Sequence, residues 1–227
     1  MLPVTTLLTH AALLARLAGP YPFSVGEALH YEAKLGFVPI GTATASVVRR
    51  TQERGVEAFV FSAIGEGGPR GARIRYELTS WVGTQSFNSL RFHRRMVRGQ
   101  TVEEYRYQIV PDSLRFRREG YRGDWAAPRN PLDELAFLYY LRTVKLQVGR
   151  TYSIPRYFQT GYNPVRLQVT GQPTFTMPNG RKVRCLALEL TSRDATMEVW
   201  LTDDDHRLPV QLELPLWLGA VRLKLTA

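Results

Sequence analysis

The residues best equipped for chemistry stand together in "WLTDDDHRLPV", residues 200–210, where Asp203, Asp204, Asp205 and His206 follow one another between two apolar runs. Carboxylates beside an imidazole suit a divalent metal or general acid–base catalysis. The spacing argues against both. Successive side chains of an extended chain point to opposite faces, so three adjacent aspartates converge on one ion only if the loop curls. Calcium loops set their carboxylates at alternate positions around a glycine, and neither feature is present. Aspartates also favour turns, because their side chains bond the neighbouring backbone. The stretch reads first as a turn between two strands. A site at Asp203, Asp205 and His206 is the lesser reading, and it would make the protein a metal-dependent hydrolase.

Other reactive groups are sparse. His10, His30 and His93 sit in no metal-ligand spacing, and the chain has no HExxH, GxSxG, P-loop or GxGxxG motif. "GEGGPRG" lacks the lysine and the following helix of a phosphate cradle and reads as a flexible turn. Cys185 is the only cysteine, which excludes an intrachain disulfide, and its strand-like setting "KVRCLALEL" suggests a buried, inert thiol. No cofactor is expected and the protein is not expected to be an enzyme.

Charge offers a second candidate. The formal net charge is +10, carried by 30 Lys and Arg residues of which only Lys34, Lys145, Lys182 and Lys224 are lysine. Between residues 91 and 129 ten arginines stand against five acids. Period two puts Arg91, His93 and Arg95 on one strand face with Leu90, Phe92 and Met96 opposite; Arg106, Arg115 and Arg117 follow suit in the next two strands. Such a stripe would hold an anionic envelope polymer or lipid headgroups. A solvated outer face is the plainer account. Nucleic acid is not an expected partner, because no reader motif appears.

The elements that must position these groups are mostly strands. From Tyr21 onward apolar and polar residues alternate, with turn chemistry about every 8–12 residues, the pattern of a sandwich or barrel. "MPNGRK" signals a hairpin, since Asn179 and Gly180 can take the two positive φ values of a type I′ turn. One helix is expected, over about 131–142, in "NPLDELAFLYYLR": Asn130 as N-cap, Pro131 at the first helical position, Asp133 and Glu134 at the positive end of the dipole. Residues 135–141 are apolar on every side, so the helix must be covered. The fold expected is mainly β, a curved antiparallel sheet or partly open β-barrel with one buried central helix. It forms a single domain over 21–227. The first twenty residues are apolar and free of acids, as a secretory signal peptide or an N-terminal apolar helix would be. No other window approaches a membrane span, so an integral membrane protein is not expected.

Several segments resemble the domain of unknown function 3108 family: "YPFSVGEALHYEAKLGFVPIGTATASV" its opening strands, "DELAFLYYLRTVKLQVGRTYSIP" its central helix, and "NGRKVRCLALEL" with "EVWLTDDDHRLPVQLEL" its closing strands. The resemblance spans 21–227. It implies a bacterial envelope protein, exported to the periplasm or beyond, with no established activity or catalytic residues. The "TDDDHRLPV" turn is also similar to those of periplasmic lipoprotein-sorting proteins, half-open barrels with a helix in the mouth that bind acyl chains. The expected function is non-enzymatic binding of a lipid or other amphipathic small molecule, or of an envelope partner. Phe137, Tyr139 and Tyr140 on the helix are the expected cavity residues. The alternative is an adaptor acting through Arg91, Arg95, Arg106, Arg115 and Arg117.

Overall fold

The computed structural model describes residues 21–68, 73–193, 195–216 and 219–227; the apolar stretch 1–20, with the expected leader or N-terminal helix, lies outside the described residues. Among the described residues the alternating segments form fifteen strands. β1 is Ala28–Leu35, β2 Val38–Glu53, β3 Val56–Gly67, β4 Ile74–Gly83, β5 Ser89–Arg98, β6 Thr101–Val110, β7 Arg115–Arg118 and β8 Trp125–Ala126. After helix α1 (Glu134–Leu141) come β9 (Thr151–Ile154), β10 (Val165–Gly171), β11 (Thr174–Thr176), β12 (Lys182–Ser192), β13 (Ala195–Thr202), β14 (Pro209–Leu216) and β15 (Gly219–Leu225). They make one antiparallel sheet in the order β8-β7-β6-β5-β4-β3-β2-β1-β15-β14-β13-β12-β10-β9, with β11 paired to β12 alone.

The sheet curls into a barrel that does not close by strand pairing. Register shifts in the β1–β2, β2–β3 and β4–β5 pairs are the bulges that let long strands bend. The gap between the flanks is bridged by two loop segments. The N–H of Ser89 donates to the Pro131 carbonyl, Leu132 N–H to the Arg156 carbonyl, and Phe158 N–H to the Leu132 carbonyl. Phe158, just beyond β9, then packs edge-on against Phe92, Tyr107 and Phe116 of β5, β6 and β7. Residues from the two ends of the sheet thus share one small apolar cluster.

The helix starts later than the sequence suggests. Asp133, not Asn130, is its N-cap, and its side chain accepts from the N–H groups of Leu135 and Ala136. Asn130 sits at φ 52° and Pro131 precedes the helix, because 131–132 are committed to the bridge. The turn at 177–180 also differs. Gly180 N–H donates to the Met177 carbonyl across Pro178 and Asn179 and, of the expected pair Asn179 and Gly180, only Gly180 has positive φ, so this is not a type I′ turn. Pro178 fixes its own φ near −65° and moves the turn back by one residue. α1 itself behaves as its composition demands. Leu135, Ala136, Phe137, Tyr139 and Leu141 are buried in the main core. Tyr139 stacks on Phe61 of β3 at 4.0 Å between ring centroids, and Phe23 meets both rings edge-on. The helix plugs the lower part of the barrel, the end that carries residues 21–27 and the turn 203–208.

Candidate functional site

At the lower end, Arg142 follows the last turn of α1 with its side chain fully buried. It donates to both Glu27 carboxylate oxygens, at 2.5 and 3.0 Å, and to the carbonyls of Pro22 and His206. One guanidinium therefore ties the start of the domain, the helix and the β13–β14 turn together. An open cleft of about 620 Å³ lies beside it, lined by residues that include Tyr21, Phe23, Lys145, Asp205 and His206.

The aspartate run is that turn. Asp204 Oδ1 accepts the N–H of His206 and of Arg207 and the hydroxyl of Thr202, so it is consumed by the backbone it folds. Asp203 points elsewhere, toward Arg184 and Arg207 at 3.2 and 3.3 Å. Among the described residues no group of three or more His, Cys, Asp or Glu side chains gathers as a metal would need. Cys185 is buried, and burial pushes its thiol up to about 11.

The arginine stripe lies on the outer face, as period two demands. His93 pairs across with Arg106, and Gln108 with Arg91 on one side and Arg117 on the other. The stripe is largely neutralised. Arg91 faces Glu53, Arg95 faces Glu77, Arg106 faces Glu104 and Glu119, and Arg117 faces Asp124, all within 3.8 Å. Exposed pairs of this kind hold little energy and place acids among the arginines of the outer face.

The helix residues expected to line a cavity divide. Phe137 and Tyr139 are 5% and 2% exposed and fill the core, while Tyr140 is half-buried beneath the Arg156 guanidinium at 4.4 Å. The Tyr139 hydroxyl is buried with no hydrogen-bond partner among the described residues. Part of the apolar inner face also stays accessible above the helix, on the sheet. There Ala43, Ala63, Leu78, Met197, Leu214 and Leu223 pack on the core yet stay partly exposed. Cross-strand register makes much of this a continuous floor: Ala45 beside Ala63, Ala63 beside Leu78, Leu78 beside Arg94.

That floor ends at a polar cluster which reading the stripe missed. Arg94 shares the inner face with Leu90, Phe92 and Met96 and meets Glu134 of α1 at 2.9 Å. Glu134 also accepts from Tyr157 at 3.2 Å and Tyr76 at 3.5 Å. Burial, then the Glu134 charge, raise the hydroxyl pKa of both tyrosines, so they stay protonated donors. Arg94 lies over the Tyr105 ring at 4.7 Å, and Arg118, on the inner face with Phe116, lies over Tyr105 and Tyr121 at 4.2 Å each. An arginine on the apolar face of an alternating strand was the available signal. Asp133, beside Glu134, holds the helix start in place. Its Oδ2 accepts from Ser80 and Ser89, and burial pushes its carboxyl up to about 6 against the pull of those donors.

The family model of the protein of unknown function DUF3108 matches residues 30–226. The chain belongs to the DUF3108 family. No curated protein matches this DUF3108 chain. Among solved structures it is similar to a β-barrel-like protein of domain of unknown function DUF1849 from Brucella abortus. The TM-score is 0.60 at 8% identity, covering 87% of this chain and 94% of that one. At that identity the likeness concerns the fold: a large, mainly antiparallel barrel-like sheet. Among the described residues no helix is long and apolar enough to cross a membrane.

Proposed function

We propose that this DUF3108 protein is a non-enzymatic binding protein of the bacterial envelope, exported from the cytoplasm, that takes an apolar or amphipathic small molecule in the upper half of its open barrel. One observation carries the reading. The inner face above α1 is apolar, built largely from small and flexible residues, and partly exposed. An unclosed sheet gives such a face an entrance, and the mouths of β-barrels are common ligand sites. The helix closes the lower end, so a ligand enters from above. Export rests on the apolar, acid-free first twenty residues. The aspartate turn does not favour the enzyme reading, because Asp204 is engaged by backbone N–H groups and Asp203 by arginines.

The test is native mass spectrometry of the protein isolated from the envelope fraction of its own host, followed by organic extraction. A co-purifying mass of lipid size, released by solvent, is the expected result. A bare protein mass together with an empty extract would refute the binding reading, and absence from the envelope fraction would refute the localisation.

A further inference from the structure

The two inner-face arginines differ in how they are neutralised. Arg94 has Glu134 at 2.9 Å. Arg118 has no carboxylate partner among the described residues; its guanidinium is held between two rings, 4.2 Å from the centroids of Tyr105 and Tyr121. Glu134 is engaged by Arg94, Tyr76 and Tyr157. Tyr107, between β5 and β7 on the same face, is held protonated by burial against the pull of both guanidiniums. The cluster thus holds Arg94 paired with Glu134 and Arg118 with no carboxylate of its own, while Glu103 on the same face accepts from the Tyr105 hydroxyl at 3.4 Å. Ring faces orient a planar guanidinium and leave its N–H edge available for a planar or tetrahedral anion.

The surroundings are amphipathic on the same scale. From Arg94 on β5 the inner face passes through Leu78 on β4 and Ala63 on β3 to Ala45 on β2. Three strand spacings make this roughly 14 Å of sheet. Hydroxyl and guanidinium donors stand at one end of this track and apolar side chains along it.

We infer that Arg118, aided by Arg94, is the headgroup anchor of the barrel, and that the ligand class is an anionic amphiphile, a carboxylate or phosphate head on an aliphatic tail laid across Leu78 and Ala63. This deepens the proposed binding function and rests on it. The arginines of the outer stripe do not share the role, since those with carboxylate neighbours are compensated and none adjoins the apolar track.

The experiment is calorimetric titration of the protein with dodecanoate, dodecyl phosphate, 1-dodecanol and inorganic phosphate, using wild type, Arg118→Gln, Arg118→Lys and Arg117→Gln. Arg117 is one residue away and on the opposite face, so its variant controls for net charge. Thermal melts of each variant establish that it is folded. The expected result is that at least one anionic amphiphile binds wild type about tenfold or more tightly than dodecanol, as charge-assisted hydrogen bonds allow. Arg118→Gln removes that advantage and leaves dodecanol affinity unchanged, Arg118→Lys restores part of it, and Arg117→Gln has no effect. Equal affinity for dodecanol and the anions, or an advantage that survives Arg118→Gln, overturns the anchor while leaving an apolar site standing. Inorganic phosphate binding as tightly as dodecyl phosphate also overturns it, because the tail then contributes nothing. If none of the three amphiphiles binds wild type, the binding function falls with it.

Discussion

The carboxyl of Asp133 predicts a pH dependence whose sign is unusual for an acidic residue. It is 0% exposed, and its four acceptor contacts are the N–H groups of Leu135 and Ala136 at 3.0 and 2.9 Å and the hydroxyls of Ser80 and Ser89 at 2.5 and 2.7 Å. Burial outweighs those donors and raises the folded pKa from 3.8 to about 6. A raised acid binds its proton more tightly in the folded state than in the unfolded chain. Its contribution to stability is therefore fully present below about pH 4 and is lost as pH rises through about 6. Each pKa unit is worth about 1.4 kcal/mol, so between about pH 4 and pH 7 the loss is about 2–3 kcal/mol. In Asp133→Asn the side chain does not titrate, and the new amide can meet the same N–H and hydroxyl groups. The stability of wild type relative to this variant should thus fall over that interval, roughly 4–12 °C in melting temperature for a domain of this size. Parallel thermal melts of the two proteins measure it and cancel the titration of every other group. A difference that is flat with pH, or that grows as pH rises, refutes the reasoning and means that the four donors outweigh burial. Asp133→Ala removes the acceptor entirely and should cost about 3–5 kcal/mol near pH 4, because it strands buried donors, and about 2–3 kcal/mol less at pH 7.

Three further outcomes are expected. Arg142→Met should destabilise the domain by about 3–5 kcal/mol in guanidinium titrations, since it leaves Glu27 and two carbonyls without their buried partner; a loss below about 1 kcal/mol would contradict the hub role. Tyr139→Phe should leave stability unchanged or raise it by about 1 kcal/mol, because the hydroxyl it deletes is buried with no partner among the described residues. A clear destabilisation would reveal a partner for that group. Gly41→Ala should sharply lower the melting temperature, because a Cβ there would overlap the Glu66 carbonyl and the Gly67 backbone where β2 and β3 approach; a wild-type melt would mean that this end of the sheet gives way easily.

Much of the architecture was legible in the chain. Alternation is a local property: where every second residue is apolar, one face of a strand must be covered, and that reads directly as a curved antiparallel sheet. The all-apolar run at 135–141 required a covered helix for the same reason, and the aspartate triplet read as a turn because its hydrogen bonds are to neighbours only two or three residues away. Period two also assigned Arg91, Arg95, Arg106, Arg115 and Arg117 to one face. What alternation cannot supply is the partner that a residue meets across the barrel. The carboxylates that neutralise the stripe include Glu53 and Glu77, on β2 and β4, brought there by strand register. Asn130 has the side chain of an N-cap, but its segment is taken by a bridge to residues 156–158, and the cap passes to Asp133. Phe137 and Tyr139 belong to the helix that plugs the barrel; whether they fill it or line it depends on the distance to Phe61 and Phe23, which only packing fixes. The inner cluster of Arg94, Arg118, Glu134 and the tyrosines joins six separate segments of chain. No local pattern encodes such a meeting, because it depends on the curling of the whole sheet.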